Sequence, residues 1–128
     1  MAEIKLTKDA FLVSETDKSG IITYANEDFC DIAGFKLEEL LGKPHNIVRH
    51  NDMPRAAFED LWKTIKSNKI WRGYVKNSTK NGNDFYWVFA TVYPMDSANN
   101  GNGGYMSCRR MASESEISNA EKLYKTLR

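Results

Sequence analysis

The chain has 128 residues, a length that fits one domain able to bury roughly two thirds of its unfolded surface in a single core. Eighteen Lys and Arg against 17 Asp and Glu leave a net charge of +1, which removes any global electrostatic drive towards nucleic acid or anionic lipid. No apolar run approaches the ~20 residues of a membrane span, and the N-terminus lacks a signal-peptide pattern, so a soluble, cytoplasmic protein is expected.

"FLVSETDKSGIITYAN" reads as a β-hairpin, two apolar runs flanking the turn "DKSG" with Gly20. Asn26 is placed to cap the next segment, "EDFCDIAG", which stops at Gly34. "KLEELLGK" is a second short helix closed by Gly42. Residues 43–54, "KPHNIVRHNDMP", then gather the only two histidines, His45 and His50, with two of the three prolines and Arg49, Asn46, Asn51 and Asp52. "DMPRAAFEDLWKTIKSN" is the best helix in the middle of the chain. Asp52 is its expected N-cap, Pro54 suits the first turn, and Phe58, Leu61, Trp62 and Ile65 form one stripe.

After that the period changes to two. "IWRGYVKNST" and "DFYWVFATVYP" are strands joined by the hairpin signal "KNGN". "DSANNGNGG" is a long polar loop without core potential, and "GYMSCRRMA" is a third strand. In "SESEISNAEKLYKTLR", Ser113 and Glu116 form a capping box, and Ile117, Ala120, Leu123, Tyr124 and Leu127 make an apolar stripe. The order predicts an α+β domain over residues 1–112, with five antiparallel strands and helices on one face. An amphipathic helix over 113–128 follows. A hollow between sheet and helices is the natural ligand site.

The chemistry narrows what that hollow holds. His45 and His50, five apart with Asp52 near, fall short of a converging ligand set, and Cys30 and Cys108 have no metal spacing, so no metal is expected. There is no G-x-S-x-G, no Cys–His signature and no carboxylate pair with an evident task, so no enzyme is expected. "NNGNGG" matches no phosphate loop, and "CRR" with the scattered lysines reads as a solvated face, so no nucleic acid is expected. Periodicity alone favours core packing for Trp62, on the helix stripe, and for Trp71 and Trp87 in their strands, with flat ligand walls as the alternative. Asn26 and Asn77 fit caps and strand ends equally with recognition of a heterocycle edge. Arg49 with His50 is a cationic pair suited to pyrophosphate. Flat aromatics, amides and a cationic corner are what a flavin nucleotide needs.

"DKSGIITYANEDFCDIAGF", "EELLGKPHNIVRHNDMPRAAFEDLWKTI", "WRGYVKN", "KNGN" and "YWVFATVYPM" together resemble a PAS domain. More narrowly, they resemble the sensory PAS domain of aerotaxis and energy-taxis receptors, over about residues 8 to 125. The resemblance implies a PAS fold, a non-covalent FAD whose redox state reports electron transport or oxygen status, and output to a chemotaxis transducer. Carried over by position, the implied FAD-binding residues are Asn26, His45, Arg49, His50, Asp52, Trp62 and Asn77. Trp62 would lie against the isoalloxazine ring. Asn77 and His45 would face polar atoms of the ring or ribityl chain. Arg49 and His50 would hold the phosphates, and Asp52 would cap the central helix. Asn51 stands where the family usually has Pro, "SNKIW" replaces a Gly-x-Pro-Trp turn, and "KNGNDFYW" is one residue longer than the family's hairpin. "NIVRHND" lacks the Cys of adduct-forming photoreceptors, and "AAFEDLWKTIKS" lacks the His of haem-binding relatives. Haem or a small metabolite is the second reading, a cofactor-free interaction module the third. The terminal stripe either folds back or makes a homodimer or transducer contact.

Overall fold

The computed structural model describes residues 2–95 and 103–127. Its elements run β1 (Ala2–Glu3), β2 (Leu12–Thr16), β3 (Ile22–Ala25), α1 (Glu27–Ala33), α2 (Leu37–Leu40), a 3-10 turn (His45–Val48), α3 (Arg55–Lys66), β4 (Trp71–Ser78), β5 (Asp84–Pro94), β6 (Tyr105–Met111) and α4 (Glu114–Leu127). Five strands form an antiparallel sheet in the spatial order β3-β2-β6-β5-β4. The two-residue β1, which the sequence pattern gave no reason to expect, pairs in parallel with the start of β5 (Ala2↔Asp84, Glu3↔Phe85). Residues 96–102 of the polar loop "DSANNGNGG" lie outside the described residues.

Strand alternation gives the sheet two different faces. On the inner face cross-strand partners such as Leu12↔Arg109, Ser14↔Ser107, Gly73↔Ala90 and Asn77↔Tyr86 look towards the helical segments between β3 and β4. On the outer face Tyr74↔Phe89 and Lys76↔Trp87 alternate with them. Phe29, Leu40, Val48 and Ile65 from the helical layer bury themselves against the inner face.

The local signals work as chemistry requires. The Asn26 side chain accepts from the Phe29 amide and caps α1, which ends at Gly34 with φ 80°. The Ser113–Glu116 box closes reciprocally, Ser113 N donating to Glu116 Oε1 at 2.9 Å and Glu116 N to Ser113 Oγ at 3.2 Å. The expected cap of α3 is corrected. Pro54 takes the N-cap position in extended conformation without a side-chain cap, and the Asp52 carboxylate lies 2.8 Å from Lys76 Nζ instead. Residues 45–48 of the polar segment wind into a 3-10 turn, and the chain then runs along the edge of β4. An Arg49↔Asn77 bridge and a His50 N to Lys76 O bond fix it there.

The terminal helix folds back onto the outer face through Ile117, Ala120 and Tyr124, while Leu123 and Leu127 stay exposed. Tyr124 stacks on Trp87 with centroids 6.3 Å apart, and its hydroxyl donates to the Tyr74 carbonyl at 2.5 Å. The Tyr74 hydroxyl in turn bonds the Glu116 carboxylate. Among the described residues no helix is long and apolar enough to cross a membrane.

Candidate functional site

Between the inner face and the helices lies a cavity of about 260 Å³. Its apolar wall comes from α3 (Phe58, Leu61, Trp62, Ile65) and from Trp71, Val75 and Val92 of the sheet. Its polar lining comes from Ser14, Ser107 and Arg109 of the sheet, His45 and Arg49 of the polar segment, and Asn77 of β4. The exposed lining residues Ser19, Pro44 and Asn46 mark its rim.

Two tryptophans shape the apolar wall. The Trp62 indole reaches from α3 to the β2–β3 turn, where a Cβ on Gly20 would stand 3.1 Å from its ring, and meets Tyr105 edge-on at 5.7 Å. Trp71 lies over Gly73, where a Cβ would come within 2.5 Å of the indole, and its Nε1 donates to Asp60 Oδ2 at 2.9 Å. Only the absence of a side chain at 73 lets that indole lie flat against the strand.

The polar end is a triangle of Ser14, His45 and Arg109. Arg109 Nη2 donates to Ser14 Oγ at 2.6 Å and to His45 Nε2 at 2.7 Å, and Ser14 Oγ lies 2.9 Å from the same Nε2. A guanidinium can only donate, so Nε2 is the acceptor and the neutral imidazole carries its proton on Nδ1. Burial first, and the neighbouring Arg109 charge second, pull the His45 pKa down to about 3. Burial also pulls Arg109 down to about 10, which leaves it charged at neutral pH. Beside this end the Tyr86 hydroxyl is buried without a hydrogen-bond partner, and its pKa is pushed up to about 12 by burial. Arg109 and Asn77 act in the opposite direction on it.

The depressed His45 pKa makes stability fall with acid. The unfolded chain binds a proton below pH ~6.5 that the folded chain refuses until about 3, so ΔG of unfolding drops as pH falls through that window. Between pH 7 and 5 the wild-type chain is expected to lose about 1–2 kcal/mol more than His45→Gln. Urea midpoints at the two pH values check this, and parallel losses in both proteins would contradict it.

Of the seven residues proposed from sequence, the structure brings His45, Arg49, Trp62 and Asn77 together on the cavity wall. Arg49 spreads its guanidinium 4.0 Å from the Phe58 ring centroid. The other three sit off the wall, for identifiable reasons. Asn26 is spent on joining the hairpin to α1: its Oδ1 accepts from Val13 N and Phe29 N at 3.0 Å each, and its Nδ2 donates to Phe11 O at 2.8 Å. His50 is buried at the β4 edge, its Nδ1 accepting from Asp52 N at 2.9 Å and its ring edge-on to Phe85. Asp52 pairs with Lys76 across that same edge.

Sequence reasoning missed Arg109. The reading of "CRR" as a solvated face holds for the exposed Arg110 and fails for Arg109, which is 3% exposed. The available signal was the two-residue period of β6, which puts Tyr105, Ser107 and Arg109 on one face.

A family model described as the PAS fold matches residues 22–108. The chain belongs to the PAS family. This PAS domain is 50% identical over 123 residues to the aerotaxis receptor of Escherichia coli K12, a match that covers 95% of this chain and 24% of the receptor. It is 31% identical over 83 residues to the nitrogen fixation regulatory protein of Klebsiella pneumoniae, covering 65% of this chain and 17% of that protein. The chain thus spans about a quarter or less of the length of these curated relatives. Among solved structures, a light-oxygen-voltage domain studied with a flavin analogue superposes with a TM-score of 0.73 at 18% identity, over 92% of this chain and 87% of that one. The dark structure of the Aureochrome1 LOV photoreceptor does so with 0.73 at 15% identity, over 91% and 85%. At these identities the two structures speak for the PAS domain's fold alone.

Proposed function

We propose that this PAS domain holds FAD non-covalently in the cavity, senses redox or energy status through it, and passes the signal to a chemotaxis transducer in the cytoplasm. The observation that carries this reading is the cavity itself: indole walls on one side and a buried, donor-rich cationic end on the other. The 50% identity to an aerotaxis receptor supports it. Trp62 and Trp71 offer flat apolar surface to a ring, while Asn77 and Arg109 offer polar groups to its heteroatom edge. Arg49, on the wall near the exposed rim, suits a phosphate. Bound there, a flavin supplies reversible, proton-coupled electron transfer.

Haem fits the polar end less well. The lone pair of His45 Nε2 already accepts from a guanidinium, and a fixed cation beside it opposes a metal ion. The fold also offers an output route. Asn77 faces the cavity from β4, and three residues earlier Tyr74, on the opposite face of that strand, carries the bonds to Glu116 and Tyr124 of α4. A strain at Asn77 therefore acts on the strand that anchors the helix over residues 113–128, which we assign as the signalling or dimerisation element.

The absorption spectrum of freshly purified protein tests the reading: flavin bands support it, and a Soret band overturns it. A colourless preparation is titrated with FAD, where quenched flavin fluorescence supports the reading and unchanged fluorescence overturns it. Asn77→Asp is expected to keep the fold and move the midpoint potential of bound FAD by ~30 mV or more, a tenfold change in redox preference. An unaltered potential and affinity in that variant would remove Asn77 from the site.

A further inference from the structure

The polar end of the cavity holds one positive charge and no negative one. Arg109 is buried, with its Nη2 committed to Ser14 and the neutral His45 and its Nη1 reaching the Leu12 carbonyl at 3.5 Å. Its cation also sits 4.7 Å from the Phe29 ring centroid, a weak compensation. Among the described residues no carboxylate pairs with it. Burying a guanidinium without a counter-ion costs several kcal/mol, which a well-packed apolar residue in its place would avoid. A guanidinium has five N–H donors, so two remain beyond those three contacts. A cationic group with spare donors at one end of a cavity is complementary to a ligand that brings acceptors and negative charge.

We infer that Arg109, positioned by Ser14 and His45, is the fixed counter-charge of the cavity: it recognises the acceptor-rich edge of a planar ligand and, for a flavin, favours the reduced ring carrying a negative charge over the neutral oxidised one. The inference rests on the flavin reading of the site. Two electrons from a reductant such as dithionite and one proton from solvent convert the neutral oxidised ring to its singly negative reduced form, and Arg109 supplies the charge that a second proton would otherwise bring.

The groups facing Arg109 do not titrate near neutrality. His45 from the 3-10 turn stays neutral above about 3, and Tyr86 from β5 stays protonated below about 12. Ser14 and the Leu12 carbonyl of β2 and the Phe29 ring of α1 carry no charge. Arg49 is the other cation of the wall, and Cys108, the preceding residue, lies on the outer face opposite Thr91. Proton uptake on reduction between pH 6 and 8 is therefore set at the ligand.

The test uses the full chain and its Arg109→Met and Arg109→Lys variants, each loaded with FAD. Spectroelectrochemical titration across that pH range is expected to show one proton per two electrons in the wild type and two in Arg109→Met. The preference for reduced FAD should fall at least tenfold in Arg109→Met, about 30 mV on a two-electron couple, and Arg109→Lys should recover most of it. FAD-free Arg109→Met is expected to unfold at or above the wild-type temperature, because a buried unpaired charge is gone, while the upward shift caused by added FAD shrinks. Failure of a stable Arg109→Met to load where the wild type loads would also support the assignment. An unchanged potential and proton count in FAD-loaded Arg109→Met would overturn it while leaving FAD binding intact. So would a less stable FAD-free variant with an undiminished FAD shift, the mark of a purely structural arginine. A wild-type chain that takes up no FAD overturns the flavin reading and this inference together.

Discussion

Ala90→Phe is expected to abolish FAD binding and leave the protein folded. Ala90 is 2% exposed, lies on the inner face of β5 between β4 and β6, and lines the cavity. Its cross-strand neighbours there are Gly73, against which the Trp71 indole lies, and Arg109. Overfilling a well-packed core costs about 1–3 kcal/mol, and because this position lines the cavity a phenyl ring can turn into that space, which keeps the cost at the low end of the range. A planar ligand would compete with that ring for the same volume. The dissociation constant for FAD should rise at least ~100-fold, about 2.7 kcal/mol, while folding stability falls by only about 1 kcal/mol. Fluorescence-quenching titration and thermal melts on the same sample check both halves. Wild-type affinity in a folded Ala90→Phe would place the ligand elsewhere.

Gly104→Ala should damage the fold itself, by about 3–5 kcal/mol, in the exceptional range for a single substitution. Gly104 has φ +116°, which side chains rarely adopt, and a Cβ there would stand 2.2 Å from the Thr16 carbonyl oxygen. That oxygen belongs to backbone at the end of β2, where Thr16 pairs with Tyr105, so the clash cannot be relieved by a rotamer change. Either the β2–β6 register opens at its end or Gly104 loses its bond from Met95 N, now 2.8 Å. Gly82→Ala is the control: it also has positive φ (+73°), but a Cβ meets nothing within 4 Å, and its cost should be about 1 kcal/mol. Urea unfolding of both variants checks the contrast. Equal, small losses would show that the strand end yields more easily than its geometry implies.

These two positions also separate what local pattern carries from what it does not. The caps at Asn26 and Ser113, the stop at Gly34 and the hairpins around Gly20 and Gly82 were legible, because each depends on a few bonds within one short stretch of chain. The same locality explains one error. Asp52 stood at capping distance from α3 in sequence, yet Lys76, 24 residues away, holds its carboxylate. Gly104 looked like an ordinary glycine in a polar loop, and only the approach of Thr16 makes it indispensable.

The order and type of the elements, and membership of the PAS family through "PHNIVRH" and its flanking words, were fixed along the chain, since propensity, periodicity and motif are properties of neighbours in sequence. Which polar side chains share the cavity was decided in three dimensions. His50 and Asp52 turn to the edge of β4 while His45 and Arg49 turn inward, because residues 49–50 bond to β4 and split one polar segment between two environments. Arg109 joins His45 from 64 residues away, and no local rule states which face of β6 will meet helices and which will meet solvent. That phase is set when the sheet packs, and with it the charge of the site.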